Sequence, residues 1–454
     1  MNNGASRSIR AVLVGTFTLR FSTGLTGGLF SYYATQLPAH GGVEMTAFLL
    51  GLMMATYFVA ELILSPGFGI LSDHLGAHRV MQWGPVFGAV AVVLTFATTD
   101  LYLLGVTRFI EGAAAGASVP SILGYIAIAT TRDVPLRGRT VARFEAATIA
   151  GLGIGLVAAG PLWEVFARVA FLLNAGLYGV SFVIYRWGVT DLASQGHPPE
   201  GEPVDSAEVR PTRFDFARYR RVISSPRVWL LAPTWIALNA VIGTWTSQSI
   251  FQLVRERSPK FADQLLMGGF RPNEISIGLA GALLVFFVGL LFWGGRFKAY
   301  RRTTIIVIGL AGGLLMVGAA FGLNHSAGFG LLLQLPLGLV ALGGLFVLAG
   351  ATPAALGLLA DISEAHPADR GAIMGLYSVF LALGQITGAL LGGGAAQWQG
   401  IDGLLAASLG LLLFALLPVR ALRASEHLVG LAHDDHGEGP PAATTEAKAD
   451  PEPD

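Results

Sequence analysis

The sequence predicts an all-α membrane protein with 12 transmembrane helices, arranged as two six-helix pseudo-repeat bundles. Three observations predict this fold: the apolar composition, the spacing of the apolar runs, and the distribution of Arg and Lys. Hydrophobic residues make up 53% of the 454 residues and charged residues 13%, and the mean hydropathy is +0.61. Because soluble domains carry about 25% charged residues, this composition indicates that the lipid bilayer is the main solvent.

Apolar runs long enough to cross a bilayer recur along the chain. One crossing needs roughly 20 mostly apolar residues. We number the runs as spans 1 to 12, and they cover residues 11–36, 46–70, 80–99, 101–130, 144–166, 168–190, 228–253, 274–295, 303–323, 328–361, 371–396 and 400–423. The first run is too long for a signal-peptide core, so we interpret it as a transmembrane helix.

Arg and Lys lie mostly on one side of the predicted membrane. With alternating spans, 22 of the 29 fall on the side of the N-terminus and five on the other side. The remaining two, Arg20 and Arg108, lie inside spans. Because cytoplasmic loops are rich in Lys and Arg, we expect a multi-pass protein of a bacterial plasma membrane with both termini in the cytoplasm.

The chain divides into five predicted regions. They are a cytoplasmic N-terminus (1–10), an N-terminal six-helix bundle (11–190), a cytoplasmic linker (191–227), a C-terminal six-helix bundle (228–423) and a disordered cytoplasmic tail (424–454). In the linker, FDFARYRRVISSPR mixes aromatic residues with arginines, which predicts an amphipathic segment on the membrane surface. A basic flank of span 7 explains the same pattern equally well.

The two halves carry a weak internal repeat. PLRGRTVARF follows span 4 and PADRGAIMGLY follows span 10, each with an Arg-Gly pair. Two parallel six-helix halves are a known plan of transporters.

Several function classes are excluded by what the sequence lacks. The formal net charge is zero and there is no Cys, which argues against a nucleic-acid partner and a thiolate site. No phosphate-binding loop and no His-Glu-x-x-His motif are present, so we expect no enzyme, no ATP-driven transport, no cofactor and no metal. The tail histidines His427, His433 and His436 are interpreted as part of a solvated polar tail.

The loop after span 2 reads GILSDHLGAHRV and carries the pattern G-x-x-x-D-x-x-G-x-x-R. Its members are Gly69, Asp73, Gly76 and Arg79. This loop resembles the signature loop of the major facilitator superfamily, and with the 6+6 plan the resemblance covers about residues 10–423. His74 and Ala77 stand where the family usually has basic residues. The resemblance implies a conformational latch, in which Asp73 meets the N-terminus of the helix beginning near Gly371. The alternative is that Asp73 only caps its own loop.

We predict a cluster of four charged residues within spans 1, 2 and 4 of the N-terminal half. They are Arg20, Glu61, Arg108 and Glu111. Charges inside spans are costly, so they indicate a functional site. The segment RFIEGAAAGA resembles a motif of proton-coupled members of the superfamily, which implies that Arg108 tunes a proton-carrying carboxylate. Glu111, three residues away on the same helical face, is one candidate carboxylate, and Glu61 is the other. A static ion pair and snorkelling to the interface are the alternatives.

Span 5 reads ATIAGLGIGLVAAGPLWEVF and is rich in glycine. Gly151, Gly155, Gly160 and Pro161 resemble the signature of the drug:proton antiporters, which ends in Gly-Pro. Leu156 departs from it, because that signature usually has Gly there. We also predict a substrate cavity lined by polar or small residues of several spans. These are Gly24, Tyr57, Asn239, Thr246, Gln334, Tyr377 and Gln385.

These observations together predict a secondary active transporter. We expect proton-coupled export of a lipophilic or amphiphilic small molecule by alternating access, with the halves rocking about a midplane site. The expected partners are the small-molecule substrate, protons and the lipid bilayer, and the expected state is a monomer. The alternatives are a lipid or glycolipid flippase of the same fold, uptake of a small metabolite, and a non-transporting membrane assembly factor.

Overall fold

The computed structural model describes residues 3–131, 133–191, 226–297, 299–364 and 370–434. This part of the chain is helical and contains no β-strand. The helices are α1 (Asn3–Gln36), α2 (Ala47–Leu75), α3 (Ala77–Val80), α4 (Trp83–Ala97), α5 (Leu101–Ala129), α6 (Val134–Phe166), α7 (Ala170–Gly188), α8 (Pro226–Val254), α9 (Pro272–Gly294), α10 (Arg302–Asn324), α11 (Leu331–Leu348), α12 (Ala351–Glu364) and α13 (Arg370–Asp434).

Eight helical stretches of the described chain are long and apolar enough to cross a membrane. Two of them, Leu136–Gly188 with 53 residues and Ser378–Arg423 with 46, are about twice as long as one crossing requires. Each contains a break in the helical backbone, with φ of 44° at Ala167 and 60° at Gly400. The all-helical prediction is confirmed for the described residues, and the number of twelve crossings stays a prediction.

The connections between helices lie at two opposite ends of the bundle. We call the end that carries 37–46, 98–100 and 255–271 the distal end, and the end that carries Gly76 and 295–301 the proximal end. Under the predicted orientation, the distal end faces outside and the proximal end faces the cytoplasm.

Side chains cap several helix starts. Thr46 Oγ1 accepts a hydrogen bond from Leu49 N at 3.2 Å, and Asp100 Oδ1 accepts one from Leu103 N at 2.9 Å. Such caps contribute about 1 kcal/mol each, because they satisfy amide groups that have no partner inside the helix. Gly76 ends α2 with φ of 93°, a conformation that favours glycine.

Small residues allow the close helix packing within each half. In the first half α1 packs on α6 and α7, and α2 packs on α5. In the second half α8 packs on α13 through Gly384, Gly388 and Gly392, which face residues 239–244 of α8. Thr244 Oγ1 also donates a hydrogen bond to Gly388 O at 3.1 Å. Close backbone approach of this kind stabilises helix pairs in membranes, where no hydrophobic driving force acts between helices.

The two halves meet at the distal end. Gln248 Nε2 donates to Ala47 O at 3.0 Å, and Phe48 N donates to Gln397 Oε1 at 3.1 Å. The backbones of α2 and α13 also come close at Gly51 and Gly393.

A second contact between the halves joins α1 and α6 to the start of α9. Tyr32 OH donates to Pro272 O at 3.3 Å, and Asn273 N donates to Glu164 Oε2 at 3.2 Å. Within the described chain, the hydrogen bonds named here between the halves all lie at the distal end.

The last helix extends further than predicted. α13 continues to Asp434, beyond the expected start of the disordered tail at residue 424. The segment ASEHLVGLAHD contains Ala, Leu and Glu, residues with high helix propensity, which favours continuation of the helix. The rest of the tail, and residues 192–225 with the predicted amphipathic segment, lie outside the described residues.

Candidate functional site

Arg20 lies at the centre of a buried polar site in the first half. Arg20 is 7% exposed, and its guanidinium forms a hydrogen bond with the side chain of Tyr57 of α2. It also interacts electrostatically with Glu61 of α2 and with Tyr185 of α7. A cation held among three helices in this way requires compensating acidic and polar groups, because a lone buried charge is strongly destabilising.

Arg108 and Glu111 form an ion pair within α5, three residues apart. Their side chains are 3% and 1% exposed, so the pair is sealed from solvent. The Arg108 guanidinium lies over the ring of Phe30 with Cζ 4.6 Å from the centroid, in a cation–π contact. Tyr178 OH donates a long hydrogen bond of 3.5 Å to Glu111 Oε1.

Two tyrosines connect these groups into one cluster. Tyr57 and Tyr178 both interact electrostatically with Arg108 and with Arg20. Tyr178 OH is also 3.5 Å from Thr23 Oγ1 of α1. The structure therefore brings together the four charged residues predicted from the sequence. Their part in proton coupling stays a prediction.

The sequence analysis missed Glu145 of α6. This carboxylate interacts electrostatically with Arg20, so Arg20 is shared by two acidic residues on different helices. Glu145 is the second residue of predicted span 5, which covers 144–166. In the structure α6 begins at Val134, so Glu145 lies about three turns inside the helix.

The three carboxylates of the cluster differ in accessibility. Glu111 is 1% exposed, whereas Glu61 and Glu145 are half-buried. A Cβ at Gly153, also on α6, would meet Leu283 of α9 in the second half, whereas Leu152, seven residues after Glu145, packs on Gly24 of α1.

The predicted latch loop joins α2 to α3 at the proximal end. Gly76 forms the turn, and Asp73 and Arg79 are exposed. A Cβ at Gly69 would lie 3.8 Å from Pro120 of α5. The expected contact of Asp73 with the start of the helix near Gly371 involves side chains outside the described ones, so the latch stays a prediction.

The glycines of the span 5 motif are packing positions. A Cβ at Gly151 would lie 2.7 Å from Phe17 O of α1, and one at Gly155 would overlap Phe21 O. At Gly160 it would overlap Pro272 O of α9, so this glycine permits the contact between the halves. Pro161 lies inside the continuous helix α6.

The residues predicted to line a substrate cavity lie in different surroundings. Gly24 packs on the backbone of Leu152, and Tyr57 belongs to the charged cluster. Gln334 lies near the distal end, where its Nε2 donates to Ser326 O at 3.2 Å, because α11 begins only at Leu331. The side chain of Tyr377 lies outside the described ones.

The remaining predicted cavity residues belong to α8 and α13. Asn239 and Gln385 are buried where these helices pack, and Asn239 Nδ2 donates to Trp235 O at 2.9 Å. Thr246 is exposed, and its hydroxyl donates to Ile242 O. Asn239 and Thr246 thus donate to carbonyl groups of their own helix, and the charged cluster lies in the first half.

Comparison with curated proteins gives partial matches. Multidrug resistance protein MdtG of Escherichia coli, from strains SMS-3-5 / SECEC and O1:K1 / APEC, is 25% identical to this chain over 181 residues. These residues are 39% of this chain and 43% of the relative, so the chain spans less than half of the length of these curated relatives.

Solved structures of similar fold cover nearly the whole chain. The nucleoside transporter NupG superposes with a TM-score of 0.65 at 16% identity, over 93% of this chain and 99% of NupG. A NupG variant with one aspartate changed to alanine has a TM-score of 0.67 at 14% identity, over 92% and 99%. At these identities the likeness shows the fold alone.

A match to a family model over more than half of the chain shows the family of this protein. A family model described as the Major Facilitator Superfamily matches residues 12–258. This match covers the charged cluster and the loop around Asp73, and it agrees with the all-helical membrane fold. The chain belongs to the major facilitator superfamily.

Proposed function

We propose that this membrane transporter couples proton entry to the export of a lipophilic or amphiphilic small molecule by alternating access. The observation that carries the proposal is the sharing of one buried arginine, Arg20, by two accessible carboxylates, Glu61 and Glu145.

The cluster holds more acidic than basic residues. Arg20 and Arg108 face Glu61, Glu111 and Glu145, so full ionisation leaves one negative charge in excess. Such an excess in a low-dielectric site favours the uptake of one cation, either a proton or a cationic substrate. Competition between the two for the same carboxylate would produce antiport.

The accessible carboxylates are the best candidates for the proton carrier. Glu111 is enclosed by Arg108, Phe30 and Tyr178, so it is the least accessible of the three carboxylates. Glu61 and Glu145 are half-buried and flank Arg20. When one of them takes up a proton, Arg20 can pair with the other, so the guanidinium never loses its counter-charge.

The conformation supports alternating access. The halves are joined at the distal end through α2 with α13 and through α6 with α9. Under the predicted orientation this is a state closed to the outside. The complementary state would require these contacts to open and the proximal loop around Asp73 to close.

The composition of the second half supports the proposed substrate class, and the name of a sequence relative supports the proposed direction of transport. The predicted spans of the second half carry almost no charged residue away from their ends, which suits a lipophilic substrate. The partial sequence relative carries the name "Multidrug resistance protein", which favours export.

Uptake of a small metabolite is the second candidate. The solved structures that superpose over most of the chain are those of a nucleoside transporter, so a nucleoside is the metabolite to test first. A nucleoside needs several hydrogen-bonding partners, so it would bind polar residues rather than an apolar wall.

The proposal is tested by proton flux in proteoliposomes with an imposed pH gradient. The panel contains lipophilic cations, neutral drugs, lysolipids and nucleosides. We expect a lipophilic compound to dissipate the gradient with the unmodified protein, and we expect Glu61→Gln or Glu145→Gln to abolish that coupling. Glu44→Gln is the matched control, because Glu44 is exposed in the distal connection, outside the helices that hold the cluster.

The other outcomes decide between the alternatives. Coupled flux that survives in both the Glu61→Gln and Glu145→Gln variants removes these carboxylates from the mechanism. Lipid transfer without proton movement favours the flippase, and nucleoside accumulation favours uptake. A folded protein that moves nothing and co-purifies with a stable partner favours the assembly factor.

A further inference from the structure

Three residues that are far apart in the sequence meet at the distal end of the second half. Asp263 lies in the connection between α8 and α9, His325 caps the end of α10, and Asp402 follows the kink at Gly400 in α13. One ligand-capable atom from each lies within 4.8 Å of the others. The site is separate from the charged cluster of the first half.

The histidine ring is held in one orientation. His325 Nε2 is 2.9 Å from Asp402 Oδ2, and Asp402 Oδ1 accepts a hydrogen bond from Asn324 Nδ2 at 2.8 Å. Asn324 is fully buried, and its own side-chain oxygen accepts from Leu266 N at 2.9 Å. Asn324 therefore holds the carboxylate of Asp402 through Oδ1, and Oδ2 accepts a hydrogen bond from the Nε2–H group of His325.

This arrangement leaves the other ring nitrogen facing a carboxylate. With the hydrogen on Nε2, Nδ1 presents a lone pair toward Asp263 Oδ2 at 3.6 Å. That distance is too long for a hydrogen bond. Two acceptors that face each other are satisfied by a shared cation, which is either a proton on Nδ1 or a metal ion. In the described chain, the ion-pair contacts of Asp263 and Asp402 are both with His325.

The spacing suits a metal ion. Zinc binds histidine nitrogen and carboxylate oxygen at about 2.0–2.2 Å with tetrahedral angles, which places two neighbouring ligand atoms about 3.3–3.6 Å apart. The Nδ1–Oδ2 separation of 3.6 Å lies at the upper end of this range. A carboxylate hydrogen-bonded to the far nitrogen of a metal-binding histidine is also a common arrangement, which fixes the tautomer.

We propose that His325 Nδ1 and Asp263 bind a divalent first-row transition metal ion of the Zn²⁺ class at the distal end, with Asp402 orienting the imidazole. The side chain of Asp263 is 67% exposed and that of His325 is 30% exposed, so the site is open to ions and to the water molecules that complete the coordination. The imidazole ligand favours Zn²⁺ over Mg²⁺ and Ca²⁺, which prefer oxygen. The bound ion ties the connection between α8 and α9 to the end of α10.

The experiment measures Zn²⁺ binding to the tag-free full-length protein in nanodiscs. Calorimetric titration with zinc chloride gives the stoichiometry, and thermal unfolding gives the stabilisation. We expect His325→Gln and Asp263→Asn to remove one binding event and the zinc-dependent rise in Tm. Because Asp402 acts through the ring, Asp402→Asn should weaken binding about 10- to 100-fold without removing it.

The controls separate this site from other binding. Glu44→Gln, an exposed distal carboxylate outside the cluster, should leave zinc binding unchanged. The Tm of each variant without zinc, compared with that of the unmodified protein, shows whether the variant is folded. His325→Gln and Asp263→Asn must both lose the same zinc-binding event. Zinc stoichiometry equal in the unmodified protein and in both ligand variants would overturn the proposal and assign the binding elsewhere, for example to the tail histidines. Equal stabilisation by Ca²⁺ would also overturn it, since that indicates only an acidic surface.

Discussion

Arg108 and Glu111 differ from the rest of the charged cluster because each has the other as its main counter-charge. Both are nearly inaccessible, and Arg108 Nε has no hydrogen-bond partner among the described residues. A buried pair of this kind holds the local structure together only while both partners are present. Arg20 has two carboxylates near it, so it tolerates the neutralisation of one.

This difference predicts the effect of Glu111→Ala on stability. Removing one partner leaves Arg108 buried and uncompensated, so we expect a loss of about 3–5 kcal/mol and a lower Tm in nanodiscs. The double variant Arg108→Met with Glu111→Leu should recover most of that loss, because no charge remains to be buried. If the single variant melts like the unmodified protein, the pair is not structurally important.

At the scale of the helices, packing between α1 and α6 is set by glycines. A Cβ at Gly155 would overlap Phe21 O, which is backbone and cannot move aside like a flexible side chain. A Cβ at Gly179 in α7 would meet nothing within 4 Å. Replacing glycine by alanine is therefore expected to have opposite effects on stability at Gly155 and at Gly179.

We expect Gly155→Ala to destabilise the protein by about 1–3 kcal/mol, because α1 and α6 must separate to admit the methyl group. Gly179→Ala should be neutral or stabilising by up to about 1 kcal/mol, because alanine has the higher helix propensity. Thermal unfolding of both variants in the same nanodiscs measures the difference. Equal melting temperatures would contradict the close approach of these two helices.

At the scale of the whole molecule, the contacts between α2 and α13 define the closed distal end. The chain has no Cys, so cysteine pairs can be introduced without background reaction. Phe48 of α2 and Gly394 of α13 suit this purpose, since a Cβ at Gly394 would lie 4.0 Å from Phe48 Cδ2. Phe48 is 44% exposed, so reagents can reach the pair.

We expect a short bifunctional thiol reagent to join Phe48→Cys and Gly394→Cys and to stop transport, because the halves could no longer separate at the distal end. Each single-cysteine variant should react with the reagent and keep its transport activity. Proteolysis in the 192–225 region followed by gel electrophoresis detects the cross-link between the halves. Full transport by the cross-linked protein would contradict a cycle in which this end opens.

The family and the all-helical membrane fold are determined by the sequence alone. Three features of the sequence can be recognised without knowing which helices are in contact. They are the apolar runs of bilayer length, the excess of Arg and Lys on one predicted side and the pattern around Asp73. Charged residues well inside an apolar run can be recognised in the same way, whereas Glu145, the second residue of predicted span 5, was not recognised. This is why Arg20, Glu61, Arg108 and Glu111 could be predicted as a group.

The tertiary structure alone decided which partners these residues have. Glu145 joins the cluster because α1 and α6 pack side by side, and the pairing of Arg20 with carboxylates on two helices has no sequence spacing of its own. Asp263, His325 and Asp402 meet for the same reason, from three separate connections. The pattern of apolar residues shows the periodicity of one helix at a time. Contacts between helices join residues that are distant along the chain, so the periodicity of a single helix does not predict them.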